Sequence, residues 1–548
     1  MARLAQNLDA IDLEIRWTRL VTIMDEVDAA VARTSFSTIV GESRDFGVVM
    51  LDSQGRSLAQ SQLSTPAFTV TLPMTAKHLL RACPVETLRP GDVLITNDPW
   101  LGSGHLPDMT IITPVFHRGK VAGFIGCVAH ISDIGGRSDY LDDKELFEEG
   151  LRIPPTFLMR DGEPVEVLFD ILAANVRVPR LVIGDIRALV GAEALGARRL
   201  LEFLADYDMD VLDSLADVIL ARSETAMDEA IRSLPDGVYH AEMDADGHRH
   251  PIHIAVTATI ADGRVTVDFE GSSDEQHDSS INCVMNTTFS DTYYPFKCSL
   301  LPGVPNNEGL SRFLTVKAPK GSIFNVNFPR AVRARSKSSF HIHAVLYEAL
   351  APILGQRVQA ASGSFWTLVA SGTGTDGELY RAHMLPNGGK GAVTAMDGLA
   401  TIAFPYNGMI TPVEIFENAA PVLIGCRELI ADSGGAGQYR GGLGQRITFE
   451  PIGPNPLTVF VRPDKLRHPP AGLLGGLPGR AGEILVNGKP TPPEPTTLQS
   501  GDVLELRLPG GGGFGQPSAR AGERLKADLE SGYVSSEASR QLYQLQVE

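Results

Sequence analysis

"TNDPWLGSGHLPDMTIITPVFHRGKVAGFIGCVAHISDIGG", residues 96–136, holds two apolar, β-branched runs separated by the polar stretch His117 to Lys120. Runs of this composition around a Gly-containing turn predict a β-hairpin. Upstream, "FGVVMLDSQGRSLAQ" (46–60) reads as strand, turn at Asp52 to Gly55, and return strand, and "GDVLITNDP" (91–99) as one more strand. The polar blocks around His105 and His130 therefore stand at the ends of adjacent strands, where a rigid scaffold can hold loop side chains in fixed geometry.

Before this sheet, Ile11, Leu13, Ile15, Leu20, Ile23, Met24 and Val27 form an apolar stripe at helical spacing. Residues 165–235 show the same spacing with few glycines and form the longest helical region. From 236 the text becomes strand, turn, strand, turn, strand, with period-two alternation in "RVTVDFEG". Residues 280–430 are mixed, with a helix-like "FHIHAVLYEALAPIL". "GEILVNGKPTPPEPTTLQSGDVLELRLPGGGGFGQP" (482–517) reads as a small β-unit closed by a glycine loop, and the charged end as a helical tail that packs on a neighbour. The expected fold class is α+β: mixed and multi-domain, with short strands, a central helical region and a strand-rich C-terminal part. The expected domains are 1–235 with the strand-end loops, a mixed α/β region 236–435, a glycine-rich β region 436–516 and the helical tail 517–548.

The 548 residues, 43% hydrophobic, suffice for two or three packed units. A net charge of −18 without a basic stripe argues against nucleic acid as a partner. No window approaches 18 uncharged apolar residues, so no spanning helix is expected, and the N-terminal stretch lacks a signal-peptide core. Five widely spaced cysteines (Cys83, Cys127, Cys283, Cys298, Cys426), without a CxxC pair, read as reduced thiols packed in the core of a cytoplasmic protein.

Asp45, His105, Asp108 and His130 make a two-His, two-carboxylate set drawn from three strand ends. Zn²⁺ and Mn²⁺ both accept such mixed nitrogen and oxygen donors, and three-residue spacing across a Pro-containing turn lets His105 and Asp108 converge. Asp98 and Asp133 stand nearby as orienters of the imidazoles or proton acceptors. The alternative is that these residues are caps and turn residues of solvated loops.

Other polar motifs carry less. "GHRHPIH" (His248, His250, His253) falls at a hairpin bend broken by Pro251, and "FHIH" (His341, His343) reads as packing or a polar helix start. There is no GxxxxGK[ST] and no GxSxG. The GxGxxG match at Gly372, Gly374 and Gly377 reads as a turn. "GGGGFG" (510–515) and "SGGAGQYRGGLG" (433–444) are either anion-cradling nests or places where backbones pack closely.

Taken together, "TNDPWLGSGHLPDMTIITPVF", "AHISDIGG", "FEEGLRIPP", "LAANVRVPRLVIGDIRALVGA", "DFEGSS", "PGVPNNEG", "PVEIFE", "RELIADSGGAGQYRGGLGQ" and "GGGGFG" resemble the hydantoinase B family. That family includes one subunit of N-methylhydantoinases, the matching half of 5-oxoprolinases, caprolactamase and, more distantly, subunits of acetone and acetophenone carboxylases. The resemblance spans roughly residues 9 to 518 and places its metal motif on Asp45, His105, Asp108 and His130. Many relatives read "AHHADIGG"; here Ile131 replaces the second His.

The resemblance implies a hydantoinase A-type ATPase partner in an (αβ)₂ heterotetramer, with ATP and Mg bound by the partner. Such an enzyme opens a hydantoin, 5-oxoproline or lactam ring after ATP-dependent activation. It implies a divalent ion, Zn or Mn, in this chain, with Asp133 as general base and Asn97 and Asp98 orienting the substrate. The alternatives are a ketone carboxylase component, in which the same metal stabilises an enolate, and a metal-stabilised scaffold that only docks the ATPase.

Overall fold

The computed structural model describes residues 9–137, 141–374 and 377–543. The chain divides into two compact units: residues up to 237 with 259–267 and 274–335, and residues 238–258, 268–273 and 336 onward. The mixed α+β class holds.

The first unit contains the helices α1 (Ala10–Thr34), α2 (Thr38–Gly41), α3 (Phe68–Ala82), α4 (Leu146–Glu149), α5 (Glu166–Asn175), α6 (Pro179–Asp206), α7 (Asp213–Arg232) and α8 (Met285–Leu300). Its strands are β1 (Phe46–Leu51), β2 (Ser57–Gln60), β3 (Val93–Thr96), β4 (Asp108–His117), β5 (Lys120–His130), β6 (Thr156–Arg160) and β7 (Glu163–Pro164). They form one antiparallel sheet of order β2-β1-β5-β4-β3-β6-β7. A Cβ on Gly126 would touch Leu72 of α3, whereas one on Gly196 of α6 would touch Ile125 and Val27. Residues 125 and 126 point to opposite faces, so α3 covers one side of the sheet and α1 with α6 the other. Cover on both sides explains why β4 and β5 read as almost unbroken apolar runs.

The stripe on α1 is only partly right. Leu13, Leu20, Ile23, Met24 and Val27 are buried, joined by Trp17, Val21 and Val31, but Ile11 and Ile15 are 69% and 54% exposed. One turn apart in the first two turns, they lie on the face away from the sheet.

On α6, Glu193 is fully buried and its Oε2 accepts a 2.5 Å hydrogen bond from the Thr113 hydroxyl of β4. Burial pushes this carboxyl up to about 8, so it is neutral in the fold at pH 7. The thiol of Cys127 beside it is likewise pushed up by burial, which keeps it neutral. Because the folded state holds the Glu193 proton that the unfolded state releases near 4.5, stability falls as pH rises from about 4.5 to about 8. Denaturant titrations from pH 5 to pH 8 should show a fall for the wild type that is shallower in Glu193→Gln. Equal slopes would contradict a protonated Glu193.

The strands expected after 236 are β8 (Gly237–Ala245), β9 (Ile252–Ala261) and β10 (Arg264–Asp268), which with β11 (Leu314–Lys317) form a sheet of order β11-β10-β9-β8. The second unit carries α9 (Ser336–Ser339), α10 (Ile342–Leu354), α11 (Val413–Ala419), α12 (Gly522–Glu530) and α13 (Ser536–Leu542). Its strands are β12 (Thr367–Thr373), β13 (Leu379–Met384), β14 (Val422–Leu429), β15 (Gln445–Pro451), β16 (Leu457–Arg462), β17 (Glu483–Val486), β18 (Lys489–Pro490), β19 (Thr496–Leu498) and β20 (Leu504–Arg507). They make two sheets, β13-β12-β16-β19 and β14-β15-β20-β17-β18, around a core containing Trp366, Phe416, Phe449 and Leu506. The stretch 482–517 is therefore not a separate β-unit: β19 pairs with β16, and β20 with β15. The tail packs as expected, Leu525, Val534 and Tyr543 being buried with Ala436. Residues 1–8 and 544–548 lie outside the described residues.

The glycine motifs pack backbone on backbone. Gly442 N–H donates to Lys390 O, Gly511 to Gly442 O, Gly435 to Gly511 O, Gly512 to Ala361 O and Gly513 to Leu477 O, at 2.8 to 2.9 Å. With these amides already donating to carbonyls, the anion-nest reading of "GGGGFG" falls and the close-packing reading stands. The GxGxxG match spans the end of β12 and the turn toward β13, so it precedes a strand rather than a helix.

Candidate metal centre

Three adjacent strands bring the ligand candidates together. Asp108 opens β4 and pairs directly with His130 at the end of β5; Phe46 pairs with Ala129, which sets Asp45 beside His130. The hairpin begins with His117 opposite Lys120, a register that would place Asp108 opposite Ala129. A bulge between Val115 and Phe116 shifts it by one residue. Because a one-residue slip turns every side chain to the other face, this bulge puts Asp108 and His130 on the same face.

His105 reaches the same point from the turn before β4, closed by the Asp108 N–H donating to the His105 carbonyl. Gly104 has φ of +95°, and a Cβ there would lie 2.0 Å from Thr287 Oγ1, so only glycine fits.

His105 Nε2 lies 2.6 Å from Asp108 Oδ1, and His130 Nδ1 lies 3.2 Å from both atoms. Asp45 Oδ2 is 3.9 Å from His130 Nδ1. Among the described residues, His105, Asp108 and His130 are the one group of three or more such side chains whose ligand atoms all lie within 4.8 Å. His105 and Asp108 are buried, while His130 and Asp45 are partly exposed and mark the open side.

The protons decide what the cluster can hold. His105 Nδ1 is 3.0 Å from the Arg333 carbonyl, which can only accept, so Nδ1 carries the hydrogen and Nε2 presents a lone pair. A second proton on Nε2 is disfavoured: burial, with Arg335 adding to it, lowers this imidazole to about 3. Asp108 is held well below the usual carboxylate range; its burial is outweighed by the charge of Arg335, whose Nη2 donates to Oδ2 at 2.8 Å. At neutral pH two acceptor atoms thus face each other at 2.6 Å, a contact that a cation between them relieves. Donors bound at ~2.0–2.2 Å from one ion lie roughly 3–3.6 Å apart, and two of the three separations fall in that range. The donor set fits a divalent ion. Burial also pushes the Asp45 carboxyl up to about 6.

The other expected site residues hold the surrounding loops. Asn97 donates to the Leu106 and Leu151 carbonyls and accepts from Ile153 N–H, so its amide clamps the loop. Asp98 accepts from Trp100 N–H and pairs with Arg152 at 3.0 Å. Asp133, expected as a general base, accepts from Gly135 N–H, Arg177 N–H and the Arg177 guanidinium. Three donors on that carboxylate make it a brace for the turn after β5. Ile131 is buried, its N–H donating to Pro107 O.

The groups that touch His105 and Asp108 come from a segment 227 to 228 residues away. Glu149 Oε1 accepts from Val332 N–H at 2.8 Å and Arg333 N–H at 2.6 Å, fixing the carbonyl that sets the His105 tautomer. Burial pushes Glu149 up to about 7. "FEEG" and "RAVRARS" carry Glu149, Arg333 and Arg335, but nothing in their local spacing points to the ligands.

His253 of the second His-rich stretch pairs with Asp244, and His341 caps α10 with Nε2 3.3 Å from Asp464, in line with the non-metal readings. Among the described residues no helix is long and apolar enough to cross a membrane.

The family described as Hydantoinase B/oxoprolinase matches residues 9–517. A protein named as the B-type component of a D-/L-hydantoinase, from Pseudomonas sp. (strain NS671), is 30% identical over 97% of this chain and 94% of its own length. The beta component of the caprolactamase of Pseudomonas jessenii is 28% identical over 98% of this chain and 96% of its own. 5-Oxoprolinase 1 of Arabidopsis thaliana is 26% identical over 94% of this chain, which spans only 42% of that longer protein. The crystal structure of the ATP-dependent caprolactamase from P. jessenii superposes with a TM-score of 0.91 at 27% identity, covering 99% of this chain and 97% of that one. A nucleotide-free acetone carboxylase shares the fold, with a TM-score of 0.86 at 20% identity over 98% of this chain and 79% of the other.

Proposed function

The chain belongs to the hydantoinase B/oxoprolinase family, and we propose that it is the metal-holding subunit of an ATP-dependent cyclic amide hydrolase. The observation that carries this reading is the buried contact of His105 Nε2 with Asp108 Oδ1, two acceptors at 2.6 Å with His130 beside them. The names of the relatives support the substrate class: hydantoinase, caprolactamase and 5-oxoprolinase each act on a ring amide.

Amide resonance leaves the ring carbonyl weakly electrophilic, and ATP is the means of activating it. A hydantoinase A-type ATPase would bind ATP and Mg, assembling with this chain as an (αβ)₂ heterotetramer. The multi-component names among the relatives and the greater length of the plant 5-oxoprolinase support a companion of this kind.

His105, Asp108 and His130 would hold the ion, Zn or Mn, with Asp45 as the fourth donor on the open side. When bound, it supplies Lewis-acid polarisation at the activated carbon. The chain's own residues prepare the site. The Arg333 carbonyl keeps the His105 proton on Nδ1, and Arg335 keeps Asp108 ionised and holds its Oδ2, leaving Oδ1 for the ion.

The test is turnover. The chain purified with its ATPase partner should open a hydantoin, 5-oxoproline or lactam ring only when ATP is present. Bicarbonate-dependent consumption of a ketone without amide hydrolysis would replace this reading with a carboxylase. No ATP-dependent reaction on either class would remove it.

A further inference from the structure

Where the glycine motif 433–444 meets the C-terminal tail, the second unit has a cavity of about 380 Å³, lined by Met396, Leu399, Arg440, Leu443, Arg524 and Tyr533 among others. We propose that this cavity binds a small aliphatic carboxylate. The proposal does not rest on the cyclic amide reading, and none of these residues belongs to the metal centre.

The sequence builds the walls. Gly398 N–H donates to the Arg440 carbonyl at 2.7 Å, Thr401 N–H to the Leu443 carbonyl at 3.2 Å, and Arg440 N–H to Asp397 Oδ1 at 2.7 Å. A Cβ on Gly398 would lie 2.3 Å from Gly442 N, so only glycine lets segment 396–401 approach the motif this closely. From the tail, α12 supplies Arg524, and Tyr533 follows that helix.

The charges around the cavity define the ligand, because three guanidinium groups meet two carboxylates. Arg520 holds Asp397 with two nitrogens, at 2.8 Å on Oδ1 and 2.9 Å on Oδ2, and reaches Asp528 at 2.6 Å. Arg440 holds Asp528 with Nε and Nη2, both at 3.3 Å, and rests on the Tyr533 ring, 5.3 Å from its centroid. The third, Arg524, has no carboxylate of its own. Its Nη1 is 3.6 Å from Asp397 Oδ2, which Arg520 already holds, and its Nη2 donates to Ala395 O at 3.3 Å. The Arg524 side chain is 44% exposed, so the positive charge in excess stands on a lining residue that solvent reaches. Beside it lie the exposed Met396 and Leu399 and the buried Leu443. A cation would be repelled, and a neutral molecule would leave the excess charge unmatched. A carboxylate matches a guanidinium with two parallel hydrogen bonds, and an aliphatic chain covers the apolar wall. The volume is within the range of small-molecule sites.

Hexanoate is the probe, titrated into the purified full-length chain by ligand-observed NMR. Hexylammonium, with the same chain and the opposite charge, and inorganic phosphate, without the apolar body, are the comparisons. Saturable millimolar binding of hexanoate is expected, with none of hexylammonium and at least tenfold weaker binding of phosphate. Arg524→Gln should weaken hexanoate binding at least tenfold while melting within a few degrees of the wild type. Leu399→Asp, which sets a further carboxylate on the apolar wall, should abolish binding and decides the matter should Arg524→Gln fail to fold. His105→Ala should bind hexanoate as the wild type does, which excludes a carboxylate captured at the metal centre. No saturable hexanoate binding, equal binding of hexylammonium or phosphate, unchanged binding in Arg524→Gln or Leu399→Asp, or binding lost in His105→Ala would each overturn the proposal.

Discussion

His105→Ala should lower ATP-dependent ring opening about a thousandfold or more while leaving the chain folded. His105 contributes one of the three clustered ligand atoms, and its Nε2 is the lone pair opposite Asp108 Oδ1. Loss of the ion removes a Lewis acid worth several kcal/mol at the reacting carbon, and each ~1.36 kcal/mol is a decade in rate. The structural cost is small. Alanine leaves the Arg333 carbonyl without its imidazole donor, a loss of about 1 kcal/mol, and removes the acceptor contact with Asp108. Turnover with partner and ATP, beside a melting curve, separates the two effects. A folded His105→Ala protein with full turnover would make the chain a scaffold rather than half of an active site.

The second large effect lies in the other unit. Gly511→Ala should prevent its folding. A Cβ there would sit 2.1 Å from Lys390 O and 2.4 Å from the Lys390 carbonyl carbon. The obstacle is backbone held by further close glycines: a Cβ on Gly389 would lie 1.9 Å from Gly442 O, and one on Gly441 1.9 Å from Gly511 O. No rotamer relieves such contacts, so the penalty goes beyond the ~1–3 kcal/mol of ordinary overpacking. Gly522→Ala, where a Cβ meets nothing within 4 Å, is the control and should melt within a few degrees of the wild type. A Gly511→Ala chain melting like the control would show that these segments have room the structure does not.

The same contrast shows what could be read from sequence. The β4–β5 hairpin and the helices from 166 to 232 were legible because apolar periodicity is a local signal. The clustering of His105, Asp108 and His130 followed from placing metal-binding residue types at neighbouring strand ends. The bulge at Val115 and Phe116 was not legible, although it decides that Asp108 and His130 share a face. Nor were Glu149, Arg333 and Arg335, which reach the site through the tertiary fold. Nor was the loop-holding part played by Asn97, Asp98 and Asp133: a polar residue beside a site must still satisfy buried backbone groups, and theirs are hydrogen bonds that hold the loops. The pairing of β19 with β16 and β20 with β15 joins strands roughly 40 to 60 residues apart, beyond any local pattern.

Elemental analysis of the purified chain by mass spectrometry, beside His105→Ala and Asp108→Ala, decides whether His105, Asp108 and His130 hold an ion. About one Zn or Mn per wild-type chain, lost in both variants, is the predicted result. A metal-free wild type that still opens a cyclic amide with its partner and ATP would contradict it.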